Sequence, residues 1–230
     1  KNLLRQALAM SRKTEDKEGI GFSLLLLGHE EIKTHNYARA KDFYDESMRL
    51  ARESRYPDML VSCTRELGHL AYLTNDYEQA KNRFEELLQM NRDLGEKNGI
   101  AFALRRLGHL ARIQGNYDHA RKIYAEILSK AHEVEERRQI FGTMLEIAFL
   151  NERLGELANS TRLFGAVETL YPVVYKGMAD DIFTECERTK ESCKNNLTDE
   201  PYKTTYAEGA TMAFEQAVAF ALNMLREPNQ

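Results

Sequence analysis

Tryptophan is absent from the 230 residues, and there are only four prolines. So little proline leaves long stretches free to be helical, because its ring interrupts helices and central strands alike. The three cysteines, Cys63, Cys186 and Cys193, are an odd number without C-x-x-C spacing. That excludes a disulfide-stapled scaffold and fits a reducing compartment, so the cytoplasm is expected. Cys186 and Cys193 lie seven apart, on one helix face, and are expected as small buried apolar residues. No apolar run approaches the ~18 residues that span a bilayer, and no signal peptide is visible, so no membrane partner is expected. A basic excess is also missing. Net charge is −4, and residues 171–230 carry six Lys+Arg against ten Asp+Glu, whereas residues 1–170 balance at 26 each. The tail is therefore the acidic part, and direct nucleic-acid binding is not expected.

Catalytic signatures are missing as well. There is no P-loop, no H-E-x-x-H, no Gly-rich fingerprint after a strand and no G-x-S-x-G. Neighbouring acids such as Glu30-Glu31, Glu85-Glu86 and Glu135-Glu136 point in different directions on a helix and read as solvated faces. Neither an enzyme nor a bound cofactor is expected.

What the chain does have is a period. Leu-Gly-His stands at Leu27-Gly28-His29, Leu67-Gly68-His69 and Leu107-Gly108-His109, 40 residues apart each time. Twelve residues beyond each Gly comes an alanine (Ala40, Ala80, Ala120), and four further on an aromatic (Tyr44, Phe84, Tyr124). A fourth, eroded copy keeps the phase through Ile147-Ala148-Phe149, Leu157, Ser160 and Phe164. A fixed period of this length marks a repeat architecture.

Each period reads as two helices. The first helices are expected at about 19–34, 58–73, 98–114 and 138–153, and the second at about 37–54, 77–93, 117–134 and 156–170. Asn36, Asp76 and Asn116 sit where helix N-caps belong. Glycines 28, 68 and 108 cost ~1 kcal/mol each in a helix interior, so their recurrence implies close packing, with the alanines expected to face them. Residues 1–15 align with a second helix, and the sequence enters this pattern midway at Lys1. A piece of a longer protein is therefore expected. The array is placed at 1–170, with repeats at about 19–54, 58–93, 98–134 and 138–170. Residues 171–230 form a helical capping segment: a charged helix at 180–196, another opening at Asp199-Glu200-Pro201, and a last one capped by Thr211.

This pattern resembles the tetratricopeptide repeat. The Leu-Gly pair, the small residue twelve on and the aromatic four after it fall in that family's order, although the period exceeds the usual 34. The resemblance implies an all-α solenoid of antiparallel helix pairs. The run Arg162-Leu163-Phe164-Gly165-Ala166-Val167-Glu168, with Tyr206-Ala207-Glu208-Gly209 and Glu215–Leu222, is similar to the end of large bacterial regulators of the LuxR and STAND ATPase types. In those the array is a sensor or interaction arm and the ATPase or DNA-binding output module lies elsewhere in the chain. An independent scaffold or adaptor is the alternative.

The histidine row is the tempting chemical feature. Successive packed helices stand ~8–10 Å apart, whereas zinc needs nitrogens at ~2 Å, so no metal site is expected. The face to which these histidines belong is the better candidate, because it varies from copy to copy. It groups Phe22, Leu25 and His29, then Arg65, His69 and Tyr72, then Phe102, Arg105, His109 and Arg112, then Phe149 and Glu152. The family resemblance implies that this face lines a concave groove receiving a protein segment or small effector. Arg65, Arg105 and Arg112 suit a carboxylate or acidic peptide; alternatively they pair with Glu66, Glu152 and other neighbours on a solvated surface. An exposed end of the array would also permit a homo-oligomer.

Overall fold

A computed structural model describes residues 2–176, 178 and 180–226. Among the described residues the protein is all α, with twelve helices and no strand. The repeats form an α-solenoid of antiparallel helix pairs. The helices are α1 Asn2–Lys13, α2 Lys17–Lys33, α3 Tyr37–Ser54, α4 Pro57–Leu73, α5 Tyr77–Leu94 and α6 Lys97–Ile113. After them come α7 Tyr117–Glu133, α8 Arg137–Arg153, α9 Leu157–Leu170, α10 Asp180–Leu197, α11 Asp199–Ala210 and α12 Phe214–Met224.

The period is written in the backbone at half its length. Residues Glu15, His35, Arg55, Asn75, Gly95, Gly115, Glu135 and Gly155 all have positive φ, one every 20 residues. Each lets the chain end reach back to orphan carbonyls. Thus His35 N donates to Ile32 O and Asn36 N to Glu31 O, both at 2.9 Å, and Tyr56 N donates to Ala51 O at 3.0 Å. This is the Schellman stop, repeated whether or not the residue is glycine. At the starts, Asp76 and Asn116 cap α5 and α7 by accepting from Gln79 N and His119 N, at 3.1 and 3.3 Å. Asn36 makes no such bond; its side chain turns back to donate to Glu31 Oε2 at 3.2 Å.

The recurrent glycines do make room, but not for the alanines expected opposite them. A Cβ at Gly68 would lie 2.9 Å from Phe84 Cε1, and one at Gly108 would lie 2.5 Å from Tyr124 Cε1; Gly28 meets the Tyr44 ring in the same way. The aromatic ring rests on the bare helix because only a missing side chain lets it approach that far.

Two compact units make up the chain, Lys1–Ala103 and Leu104–Gln230, and the division falls inside α6. In the first, α1 packs on α2 and each later helix on its predecessor through α5. Its core holds Leu25, Tyr44, Met48, Met59, Cys63 and Leu67, with a smaller cluster of Leu8, Leu24, Leu27 and Leu50. In the second, α8 packs on α7 and α9 on α8, while α11 lies against α9 and α12 against α7, α8 and α9.

In the acidic tail, α11 packs on α9, and α10 lies along α8 and α9 and sends its first turns to α6. Thr211 does not cap α12, as the sequence suggested; its hydroxyl donates to Glu208 O at the end of α11. The start of α12 is instead closed by Gln216 Oε1, which accepts from Ala213 N at 3.0 Å.

Candidate functional site

The face of the first helices takes a different form in each unit. In the first unit it is built on α2 and α4, whose glycine-aromatic packing fixes the rotation of each helix. Phe22 is 41% exposed, and Leu26, one turn on, is 47% exposed. One further turn brings His29, whose Nε2 lies 3.1 Å from Glu66 Oε2; Arg65 Nε donates to Glu66 Oε1 at 2.9 Å. Burial alone would raise the Glu66 carboxyl, but the His29 and Arg65 contacts outweigh it and hold it at about 2. The His69 ring stacks on Tyr72 with centroids 6.4 Å apart, and Phe102 is half-buried. Leu25, expected on this face, is only 4% exposed and belongs to the core with Tyr44 and Met59. Its rotation toward α3 follows from the close approach at Gly28.

In the second unit the same face is covered. Arg112, with its side chain fully buried, donates from Nη2 to Glu185 Oε2 of α10 at 2.9 Å, and its Nη1 lies 2.8 Å from Glu185 Oε1 as an ion pair without a hydrogen bond. Arg112 Nη2 also lies 3.6 Å from Glu146 Oε2 and 2.9 Å from His109 Nδ1. His109 Nδ1 is also 3.3 Å from Glu146 Oε2, so the ring nitrogen stands between the guanidinium and the carboxylate. Tyr124 Oη donates to the same Glu146 oxygen at 3.2 Å. Burial opposes both charges. Even so, His109, Arg112 and Arg105 hold the Glu146 carboxyl at about 2, and Glu146 with Glu185 keeps the Arg112 pKa above its ordinary value.

Around this centre the other expected residues converge. Arg105 Nη1 donates to Gln139 Oε1 at 2.8 Å, in a space that the bare Gly142 leaves open. Phe149 is fully buried rather than groove-lining: its ring lies 5.3 Å beneath the Arg112 guanidinium and 6.2 Å from Phe164. Glu152 accepts from Ser192 at 2.8 Å and pairs with Arg188 at 3.4 Å, both on α10. Arg106 Nη1 reaches Asp181 of α10 at 3.4 Å.

Of the three arginines, then, Arg112 does hold a carboxylate, Arg65 pairs with its neighbour Glu66, and Arg105 binds an amide. Sequence reasoning passed over Glu146, Asp181, Glu185, Arg106 and Arg188. A signal existed for the first: Glu66 and Glu146 each stand 37 residues beyond a repeat histidine, His29 and His109. The α10 acids are 75 and 73 residues from the arginines that they meet, a distance over which no local pattern speaks.

Among the described residues no group of three or more His, Cys, Asp or Glu is placed to hold a metal ion. No described helix is long and apolar enough to cross a membrane. Cys63, Cys186 and Cys193 are free and buried, and burial raises each thiol above its usual range.

Helix pairs in series, with a variable face that carries either exposed apolar groups or a docked helix, define a helical-repeat interaction scaffold. The tetratricopeptide repeat family model matches residues 59–137, within this array of helix pairs. Repeats of this family mark a protein–protein interaction module, and their all-helical scaffold is generally non-catalytic. The crystal structure of BtubC (BKLC) from P. vanneervenii superposes with a TM-score of 0.67. The match covers 100% of this chain and 92% of that one at 15% identity, so it speaks to the fold alone. No curated protein matches the sequence.

Proposed function

We propose that this chain is the non-catalytic sensor or interaction arm of a larger bacterial signalling or transcription-regulatory protein. Its first-helix faces receive a protein segment or small effector, and an output module elsewhere in the full-length chain, an ATPase or a DNA-binding domain, responds. The observation that supports this most is that the face of α6 and α8 already holds a helix through ion pairs to Arg106, Arg112 and Glu152. A surface able to hold one helix by side-chain chemistry is a surface for polypeptide recognition. In the first unit the corresponding face shows Phe22, Leu26, His29 and Arg65 to solvent.

A photo-cross-linking residue at Phe22 or Leu26, expressed in the native cell, tests this. The expected result is a discrete adduct with a polypeptide at those positions and none at Lys41 or Arg49 on α3. A folded protein giving equal adducts at all four, or none at any, sinks the binding reading. The larger-protein part is tested separately by the gene: a nucleotide-hydrolysing or DNA-binding module encoded in frame supports it, and a reading frame confined to the repeats refutes it.

A further inference from the structure

The tail helix α10 is held in an unusual way. Its wholly buried side chains are small: Cys186, Thr189 and Cys193. Its largest apolar residue, Phe183, is 45% exposed. What ties it down is charge: Asp181 to Arg106, Glu185 to Arg112, and Arg188 and Ser192 to Glu152. By contrast α11 is locked to α9 by backbone contact, since a side chain at Gly165 would strike the Tyr206 carbonyl. At its far end α10 runs into Thr198, whose φ of 65° and ψ of 167° suit glycine rather than a β-branched residue. The held position of α10 therefore carries backbone strain.

We propose that the face of α6 and α8 is a docking site for an acidic amphipathic helix of a partner protein, and that α10 is the resident helix which such a partner displaces. The inference rests on reading these faces as interaction surfaces, and adds the chemistry of the partner. Glu146 and His109 meet only the Nη2 end of the buried Arg112, at 3.6 and 2.9 Å, so a helix that replaces α10 must bring a carboxylate to the side that Glu185 now faces. The spacing on α10 states the rest of the requirement. Carboxylates at positions i and i+4 match Asp181 and Glu185, and a cation at i+7 matches Arg188 and meets Glu152. A small-residue stripe at i+5 and i+8 fits against α8 and α9. A partner helix that kept these charges and put larger apolar groups beside them would bury more surface than Cys186 and Thr189 do. Affinity for it is reduced by the fraction of time α10 occupies the site, so weakening α10 strengthens binding.

Two measurements test this on the full chain. In hydrogen exchange, the α10 amides are expected to exchange at least about a hundredfold faster than those of α8, as a separately opening element. Exchange of α10 at the rate of α8 overturns the proposal. In fluorescence anisotropy, a labelled synthetic peptide spanning Asp180–Leu197 is added to the wild-type chain and to the Asp181→Ala/Glu185→Ala variant. The variant is expected to bind at least about tenfold tighter, and a peptide with Asn and Gln in place of those acids at least about tenfold weaker. No binding to either protein, or binding indifferent to the peptide's acids, overturns it. Should the variant not fold, the exchange measurement on the wild-type chain decides. Cross-linking at Phe22 does not involve α10, so that reading stands or falls independently.

Discussion

Gly165 on α9 and Gly209 on α11 each face the other helix's backbone with no room for a side chain. A Cβ at Gly165 would strike the Tyr206 carbonyl oxygen, and one at Gly209 the Arg162 carbonyl oxygen. Backbone cannot rotate aside as a ring can. Gly165→Ala and Gly209→Ala are each expected to cost about 3 kcal/mol, at the upper end of overpacking penalties. Gly68→Ala meets side-chain atoms, the Phe84 ring edge at 2.9 Å and the Arg83 Cβ at 3.2 Å, rather than backbone; it gains helix propensity of ~1 kcal/mol, so its net cost is expected to be about 1 kcal/mol. Chemical denaturation of the three variants checks the order; an equal loss at Gly68 would refute the backbone argument.

The left-handed stops supply a second test, this time of gain. Arg55 and Glu135 hold φ of 56° and 53°, where an L side chain is strained, whereas Gly95 occupies the equivalent place at 71° without it. Nothing lies within 4 Å of a Cβ added at Gly95, so conformation alone decides there. Arg55→Gly and Glu135→Gly are each expected to stabilise by about 0.5–1 kcal/mol, and Gly95→Ala to destabilise by about 1 kcal/mol. Thermal melts read the signs; destabilisation by both glycine variants would show that the side chains contribute more than the strain costs.

The same eight stops explain why the fold was legible. With one per 20 residues, the phase of Leu27-Gly28-His29 propagates along the chain, and the helices fall where expected: α3 at Tyr37–Ser54 and α10 at Asp180–Leu197. Packing detail was less legible. Glycine and alanine recur at the same phase, and spacing alone does not say that the Tyr44 ring, rather than Ala40, lies on Gly28. The docking of α10 was hidden for a different reason. Cys186 and Cys193 were expected to be buried, but with Thr189 they make a weak apolar stripe that does not say which helices it meets. The acidity of the tail was the visible trace of it, because Asp181 and Glu185 complement Arg106 and Arg112 across the fold. On the first-helix face, Leu25 and Phe149 shared the groove phase but turned inward, since rotation by less than one residue separates core from surface on a helix.

Tyr44 and Tyr124 occupy the same place in two repeats but differ in what the hydroxyl meets. Tyr124 Oη donates to Glu146 at 3.2 Å, whereas the Tyr44 hydroxyl is buried without a hydrogen-bond partner among the described residues. A buried hydroxyl without a partner costs free energy that its removal returns, and Phe84 already fills this place in the intervening repeat. Tyr44→Phe is therefore expected to be neutral or to stabilise, by up to about 1 kcal/mol, while Tyr124→Phe costs about 1–2 kcal/mol. Equal losses in urea titrations would mean that a water serves Tyr44.

Glu146 gives the sharpest dependence on pH. It faces His109 and Arg112 of α6 and Tyr124 of α7, with the Arg105 charge also acting on it, and its carboxyl is lowered from 4.5 to about 2 despite burial. A carboxyl whose folded pKa lies below its unfolded value favours folding fully above the unfolded pKa. That contribution is lost as pH falls from about 4.5 toward 2, and is worth roughly 3 kcal/mol at neutral pH. Glu146→Gln removes the titration while keeping an acceptor for Tyr124. The stability gap between wild type and Glu146→Gln is accordingly expected to be widest near neutral pH, to narrow below pH 4.5, and to close near pH 2. Breaking the charge balance around Arg112 also weakens the site at which α10 docks, so the variant's α10 amides are expected to exchange faster at neutral pH. A gap that stays constant from pH 7 to pH 3 would show that Glu146 is held by packing and not by its charge.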